Sequence, residues 1–333
     1  MEKKTLLKSL IQAHGPSGDE GEVRQRIREA AESFADEVTE DVMGNLIAHK
    51  TGPGPKVMLA AHMDSVGVIV THIEDSGFLR FGALGGLEAK ALYQTAVRFR
   101  TGVSGVISVE ENKAEKEFKL ADLYIDIGAS DGAAAKKLVS VGDTAVFCGP
   151  ALENGDTVIG PCLDNRAGCA VLIQVMEGLT RVPNDLYFVF TAQEEVGLRG
   201  ARPAAWALEP DYALVVDVTC PDDVPGALHD GTTALGKGAA IKVMDHSVIA
   251  HPVVVERLTA LAEGLEIPAQ RDLLRTGGTD GGAIHVSRTG VLTGGVSIPC
   301  RYTHTPTELI HWKDFDACVR LIQAFCESEL TRP

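Results

Sequence analysis

A chain of 333 residues, 45% hydrophobic and 23% charged, has the length for two domains and too much apolar character to be disordered. Its 46 acidic against 31 basic side chains leave a formal charge of −15, which repels phosphate backbones and argues against a nucleic-acid partner. No stretch approaches the ~20 unbroken apolar residues of a membrane-spanning helix. The seven cysteines are scattered without a C-x-x-C pair, so a disulfide framework is not expected and a reducing cytoplasm is the expected compartment. The opening run reads as a mature helix and not as a signal peptide: Leu6, Leu7, Leu10 and Ile11 recur at helical spacing until Gly15-Pro16-Ser17-Gly18 ends it. A second amphipathic helix is expected over residues 20–34, then a strand near 45–49 and a short buried strand over 56–61 leading into His62.

From about residue 66 to 157 the pattern changes. Strand-like pieces at 67–73, 78–81, 96–100, 105–109, 123–127 and 144–147 alternate with glycine turns, interrupted by one helix-like stretch at 131–138. Many short strands with regular turn signals predict a small β-rich, barrel-like unit. Beyond Gly160 helices (167–179, 200–207, 252–264 and 313 to about 329) alternate with strands (186–191, 213–216, 290–298). That alternation predicts an α/β layer sandwich with a largely parallel central sheet, and the strand before His62 reads as a member of it. The expected architecture is one α/β domain built from both ends of the chain, with a β domain inserted between them.

Chemistry-bearing residues gather in AAHMD (60–64), LDNR (163–166), TAQEEVG (191–197), VVDVT (215–219) and RYTHTPTE (301–308). In open α/β sheets, ligand sites lie at the carboxyl ends of strands. His62 follows one such strand, Glu194 and Glu195 lie past a second, and Asp217 ends a third. Singly, each has a plain alternative: Asp217 as a turn residue, Asp164 as the cap of the helix near Ala167, the glutamates as a solvated face, His62 as structural. Together those alternatives require five independent coincidences. A pair of divalent cations about 3.5–4 Å apart, sharing a carboxylate and a water, needs His and carboxylate ligands and one further carboxylate to move a proton. Two histidines, three ligand carboxylates and an adjacent glutamate match that need.

These segments resemble those of the tetrahedral aminopeptidases, dinuclear-metal enzymes that include glutamyl, leucyl and lysyl aminopeptidases. The resemblance runs over nearly the whole chain. It implies a three-layer α/β/α catalytic domain with a mixed, largely parallel sheet (residues 1–66 and 158–333) and an inserted β-barrel-like oligomerisation domain (67–157). It implies two divalent metal ions, zinc first with cobalt or manganese as alternatives, one held by His62, Asp164 and Asp217 and the other by Asp164, Glu195 and His304. Glu194 is then the implied general base, and Asp64 orients the imidazole of His62. Peptide substrates and a self-associated, twelve-subunit tetrahedral particle follow from the same likeness. Ser65 stands where the family often has an acidic residue. GGTDGGAIH (277–285) matches a further family stretch near the substrate, although Thr279 and Asp280 also read as a glycine turn capping a helix.

The remaining histidines (14, 49, 72, 229, 246, 251, 285 and 311) are expected to be structural or superficial. Cys162, Cys220 and Cys300 lie close in sequence to implied ligands; they are expected as packing residues, one of them near enough to the metals to make activity oxidant-sensitive. Alternatives that share the dinuclear layout are a carboxypeptidase and an N-acyl amino-acid deacylase. A glycosidase using Glu194 and Glu195 is more distant, because adjacent side chains rarely flank a glycosidic bond, and a non-enzymatic assembly protein is the third class.

Overall fold

The computed structural model describes residues 2–332 apart from 112, 114–117 and 228–231; His229 therefore lies outside the described residues. Period-two alternation along the central strands divides their side chains between two hydrophobic cores. In β3 (Lys56–His62), Val57, Leu59 and Ala61 enter one core and Met58 and Ala60 the other. β12 (Asp185–Thr191) and β13 (Tyr212–Thr219) divide in the same way, with Phe188, Phe190, Leu214 and Val216 on the first face and Val189, Ala213 and Val215 on the second. Each of these fully buried large side chains contributes roughly 1.5–3 kcal/mol by leaving water.

The first face is covered by α1 (Lys3–Gln12), α2 (Gly21–Ala31), α5 (Leu163–Gly178), α7 (Pro252–Gly264) and α9 (Trp312–Glu327). The second carries α6 (Ala201–Leu208) and α8 (Gly281–Ile284). The result is a three-layer α/β/α sandwich.

The sheet runs β1 (Glu37–Glu40), β2 (Leu46–Lys50), β12, β3, β13, β16 (Leu292–Arg301), β17 (Glu308–His311), β11 (Thr157–Gly160) and β10 (Leu152–Asn154). β14 (Ala239–Met244) also pairs with β16 and carries β15 (Ala269–Leu273) on its other edge. β12, β3, β13 and β16 are mutually parallel, and the strands beyond them are antiparallel, apart from the parallel pair β14–β15. Strands from both ends of the chain thus share one sheet.

Between them, β4 (Gly67–Ile73), β5 (Leu79–Leu84), β6 (Ala96–Phe99), β7 (Ser104–Val109), β8 (Leu123–Asp126) and β9 (Thr144–Phe147) close into a barrel in the order β4-β5-β8-β7-β6-β9. Its core, which includes Val68, Phe99, Ile107 and Ile125, is separate from those of the sandwich. Two short helices, α3 (Ala89–Leu92) and α4 (Gly132–Ala135), accompany it. Closure pairs every barrel strand on both sides and leaves no open edge.

Some elements differ from the sequence reading. The helix expected over 20–34 ends at Ala31 and tightens into a single 3-10 turn, Glu32–Phe34. That expected over 131–138 is one turn of α4, where Asp131 Oδ1 accepts from the Ala134 N–H at 2.8 Å. β1, β10, β11, β14, β15 and β17 carried no expectation; most are short flanking strands, and exposed charge hides alternation in β1 (EVTE). Among the described residues no helix is long and apolar enough to cross a membrane.

Candidate metal centre

The parallel strands deliver the chemistry to one rim. His62 is the last residue of β3 and lies in register with Thr191, the last of β12. The chain leaves β12 through Ala192 and a left-handed Gln193 (φ 56°), which turns Glu194 and Glu195 back over the strand ends. Asp217 lies inside β13, two residues before its end at Thr219. Asp164 stands at the entry to α5, after a left-handed Cys162 (φ 57°), with its own backbone outside the helical region. Asn165, not Asp164, caps that helix: its Oδ1 accepts from the Gly168 N–H at 3.0 Å and its Nδ2 donates to Val216 O at 2.8 Å. Capping by the neighbour releases the Asp164 carboxylate for the site. Gly168 is required there, because a Cβ would collide with the Asn165 side chain and lie 2.7 Å from Val216 O.

All five implied ligands come together. His62 Nε2 lies 3.2 Å from Asp164 Oδ1 and 3.5 Å from Asp217 Oδ1. His304 Nε2 lies 3.5 Å from Asp164 Oδ2 and 3.2 Å from Glu195 Oε2. One ligand atom each of His62, Asp164 and Glu195 lies within 4.8 Å of the other two, close enough that the three could hold a metal ion. The Glu194 carboxylate faces the same cavity, 4.0 Å from His62 Nε2.

Both imidazoles are fixed from behind by backbone oxygens. His62 Nδ1 meets Asp64 O at 3.1 Å, and His304 Nδ1 meets Gly86 O at 2.8 Å. With Nδ1 carrying the donated proton, each Nε2 would have its lone pair free for a cation held between it and the carboxylates. The Asp64 side chain lies against the His62 ring, with Oδ1 3.5 Å from His62 Nδ1, and is itself held by other donors. It accepts from Ser17 Oγ at 2.6 Å and from the backbone N–H groups of Glu194 at 3.0 Å and Glu195 at 3.3 Å. One buried carboxylate thus steadies both the histidine and the glutamate turn.

The electrostatics are those of a cation site. In the metal-free protein, burial pushes Glu194 well above the usual carboxylate range, with Asp217 and Asp280 adding to the rise against the opposing pull of His62. Burial also raises Glu195 and Asp217, each with Asp164 as a further cause. For Asp164 burial works upward, but the hydrogen bond and charge of His62 outweigh it and hold the group below its ordinary value. Burial opposes a proton on His304, yet Glu195 and Asp164 carry its pKa to about 10. Glu195 Oε1 is buried without a hydrogen-bond partner. Crowded carboxylates, protons drawn onto both imidazoles and one unpartnered oxygen fit divalent cations, which would replace those protons. The donors are nitrogen and oxygen, suited to zinc, cobalt or manganese. The cavity here is about 410 Å³.

Two supports were not assigned from sequence. Glu308, 1% exposed, accepts from the Asp164 N–H through Oε2 and from the His304 N–H through Oε1, both at 2.9 Å. It closes the RYTHTPTE segment, so its presence was visible while its role was not. Gly86 follows β5, outside every motif singled out. Asp280 begins α8 without capping it; it accepts instead from Thr191 Oγ1 at 2.5 Å, and burial pushes it up to about 7.

Other histidines have structural tasks: His251 and His311 accept backbone N–H groups at the starts of α7 and α9, and His49 meets Asp185 at 2.7 Å. Cys162 and Cys300 are buried, and Cys220 lines the cavity beside Thr303 at 3.2 Å.

Comparison with known proteins extends this geometry. The profile of the M42 glutamyl aminopeptidase family matches residues 44–321. A putative aminopeptidase of Acetivibrio thermocellus is 46% identical, covering 96% of this chain and 98% of its own. An aminopeptidase structure from the archaeon Desulfurococcus kamchatkensis superposes with a TM-score of 0.94 at 39% identity, over 98% of this chain and 94% of that one. The TET1 peptidase of Pyrococcus horikoshii, described as assembling into a tetrahedron or a large octahedral shell, matches with a TM-score of 0.88 at 32% identity over 99% and 100% of the two chains.

Proposed function

The chain belongs to the M42 glutamyl aminopeptidase family, and on that premise we propose that it removes N-terminal residues from peptides using two divalent cations and Glu194 as general base. It is a hydrolase, a metallo-aminopeptidase. The observation that carries the two-cation reading is Asp164, whose two oxygens face the Nε2 atoms of two different histidines at 3.2 and 3.5 Å. His62, Asp164 and Asp217 would hold one cation; Asp164, Glu195 and His304 would hold the other. When bound, the cations supply Lewis acidity to the scissile carbonyl and to a water, and charge that offsets the clustered carboxylates.

The chain's own residues perform the rest. Glu194 faces the cavity beside the ligands, where it takes a proton from the attacking water and returns it to the departing amine. Asp64 holds the backbone of Glu194 and Glu195 and so fixes where that proton is received. The family likeness also supports self-association as a tetrahedral dodecamer, with the barrel of β4 to β9 as the oligomerising unit, to be checked by light scattering.

The test uses peptides with free and N-acetylated termini, on chelated protein and after restoring zinc, cobalt or manganese. Cleavage confined to free amines and abolished by chelation is expected; equal cleavage of the acetylated peptides would favour a deacylase or carboxypeptidase. Glycoside cleavage that survives chelation would favour the glycosidase. Glu194→Gln should keep its metal content while losing ~10²–10⁴ in turnover.

A further inference from the structure

The cavity has one ionisable wall and otherwise neutral ones. His62, Asp164, Glu194, Glu195, Asp217 and His304 make the first. Among the described residues the other lining side chains are uncharged: Leu198, Val218 and Leu274 are aliphatic, three threonines and Cys220 are small and neutral, and the rest are glycines. Two buried or part-buried cations near this lining face aspartates. Lys242, itself buried, lies 2.5 Å from Asp272, and that aspartate also accepts from Thr219 Oγ1 at 3.1 Å. Arg301 is held by both oxygens of Asp223 at 2.8 Å.

Granted the aminopeptidase reading above, on which this depends, we infer that the side-chain subsite takes an uncharged aliphatic N-terminal residue of leucine or methionine size, in preference to an acidic or basic one. The reactive end of the substrate must lie against the ionisable wall, so its first side chain extends over the neutral lining. A glutamyl side chain would bring a carboxylate to a lining that, among the described residues, offers no lysine or arginine. Among the described lining residues, a lysyl side chain would find carboxylates only in the cluster, where the cations compete for them. Either charge loses water without gaining a partner, whereas an aliphatic side chain gains by the same transfer. A volume of about 410 Å³ accommodates such a side chain together with the scissile amide.

The test is the specificity constant of metal-loaded protein on aminoacyl p-nitroanilides. Leucyl and methionyl substrates should exceed glutamyl and lysyl ones by ~10²-fold, and alanyl by about tenfold, through unfilled volume. Leu274→Lys should lower the leucyl value and raise the glutamyl one, reducing their ratio at least ~tenfold with metal content unchanged. Glutamyl or lysyl turnover equal to leucyl turnover in the wild type overturns the preference and leaves the aminopeptidase activity standing. No cleavage of any free-amine substrate overturns both. An unchanged ratio in a folded, metal-loaded Leu274→Lys variant removes the aliphatic wall from the subsite.

Discussion

Replacing Glu308 with glutamine keeps the shape, and removes the charge, of the group that grips the backbone of Asp164 and His304. The wild-type carboxylate accepts one buried N–H on each oxygen at 2.9 Å. A glutamine retains one acceptor and turns an NH₂ toward the other N–H. One charge-assisted bond is lost, at about 1.5–3 kcal/mol, and one buried donor is left unsatisfied, at about 1–3 kcal/mol. Against this stands relief from holding a carboxylate in a fully buried position beside Asp164, the two causes that push its pKa well up. A net cost of about 1–3 kcal/mol, falling on two ligand positions, corresponds to ~5–150-fold weaker cation binding. The assay is competition with a chelating dye, alongside thermal unfolding of the metal-free protein to establish folding. A folded Glu308→Gln variant with wild-type metal affinity would refute the claim that this carboxylate sets the ligand geometry.

Three other outcomes follow from the same coordinates. His304→Ala should lower metal content by elemental analysis, because Glu195 and Asp164 lose the nitrogen between them; unchanged stoichiometry would remove His304 from the ligand set. Gly168→Ala should lower the melting temperature, since its Cβ must displace the Asn165 cap and approach Val216 O, next to Asp217; an unaltered melting curve would show that the turn can yield. His14, facing Asp19, Thr144, Glu22 and Arg98, has its pKa lowered by burial, with Asp19 opposing. Below about 6.5 the unfolded chain takes up a proton that the folded one resists. Stability should therefore fall as pH drops from that point through the folded pKa, and His14→Gln should flatten the fall; denaturant titrations with the same slope in both proteins would count against it.

Much of the site was legible because central parallel strands are short apolar runs whose ends stand out. KVMLAA announces β3, and the histidine that follows it can only sit at the rim. The same holds for the glutamates after β12 and for Asp217. What escaped was whatever acts through the backbone or across long sequence distance. Glu308 reaches Asp164 over 144 residues and touches only an amide, so its side chain carries no mark of the partner. Asp164 and Asn165 are equally good caps in isolation, and only the folded turn assigns the cap to Asn165. β14 and β15 escaped for a related reason: they join the sheet beside β16, and their residues alternate too weakly to reveal a strand before its neighbour is known.

The hydrogen bond from His304 to Gly86 crosses between two separately packed units. The ring is aimed by a peptide group that travels with the barrel, while its carboxylate companions travel with the sandwich. The imidazole is thus held from both units, its ring by Gly86 O and its own backbone N–H by Glu308, which also binds the N–H of Asp164. One ligand of the candidate metal centre therefore depends on how the barrel is seated against the sandwich, so the two units are not independent parts of the site.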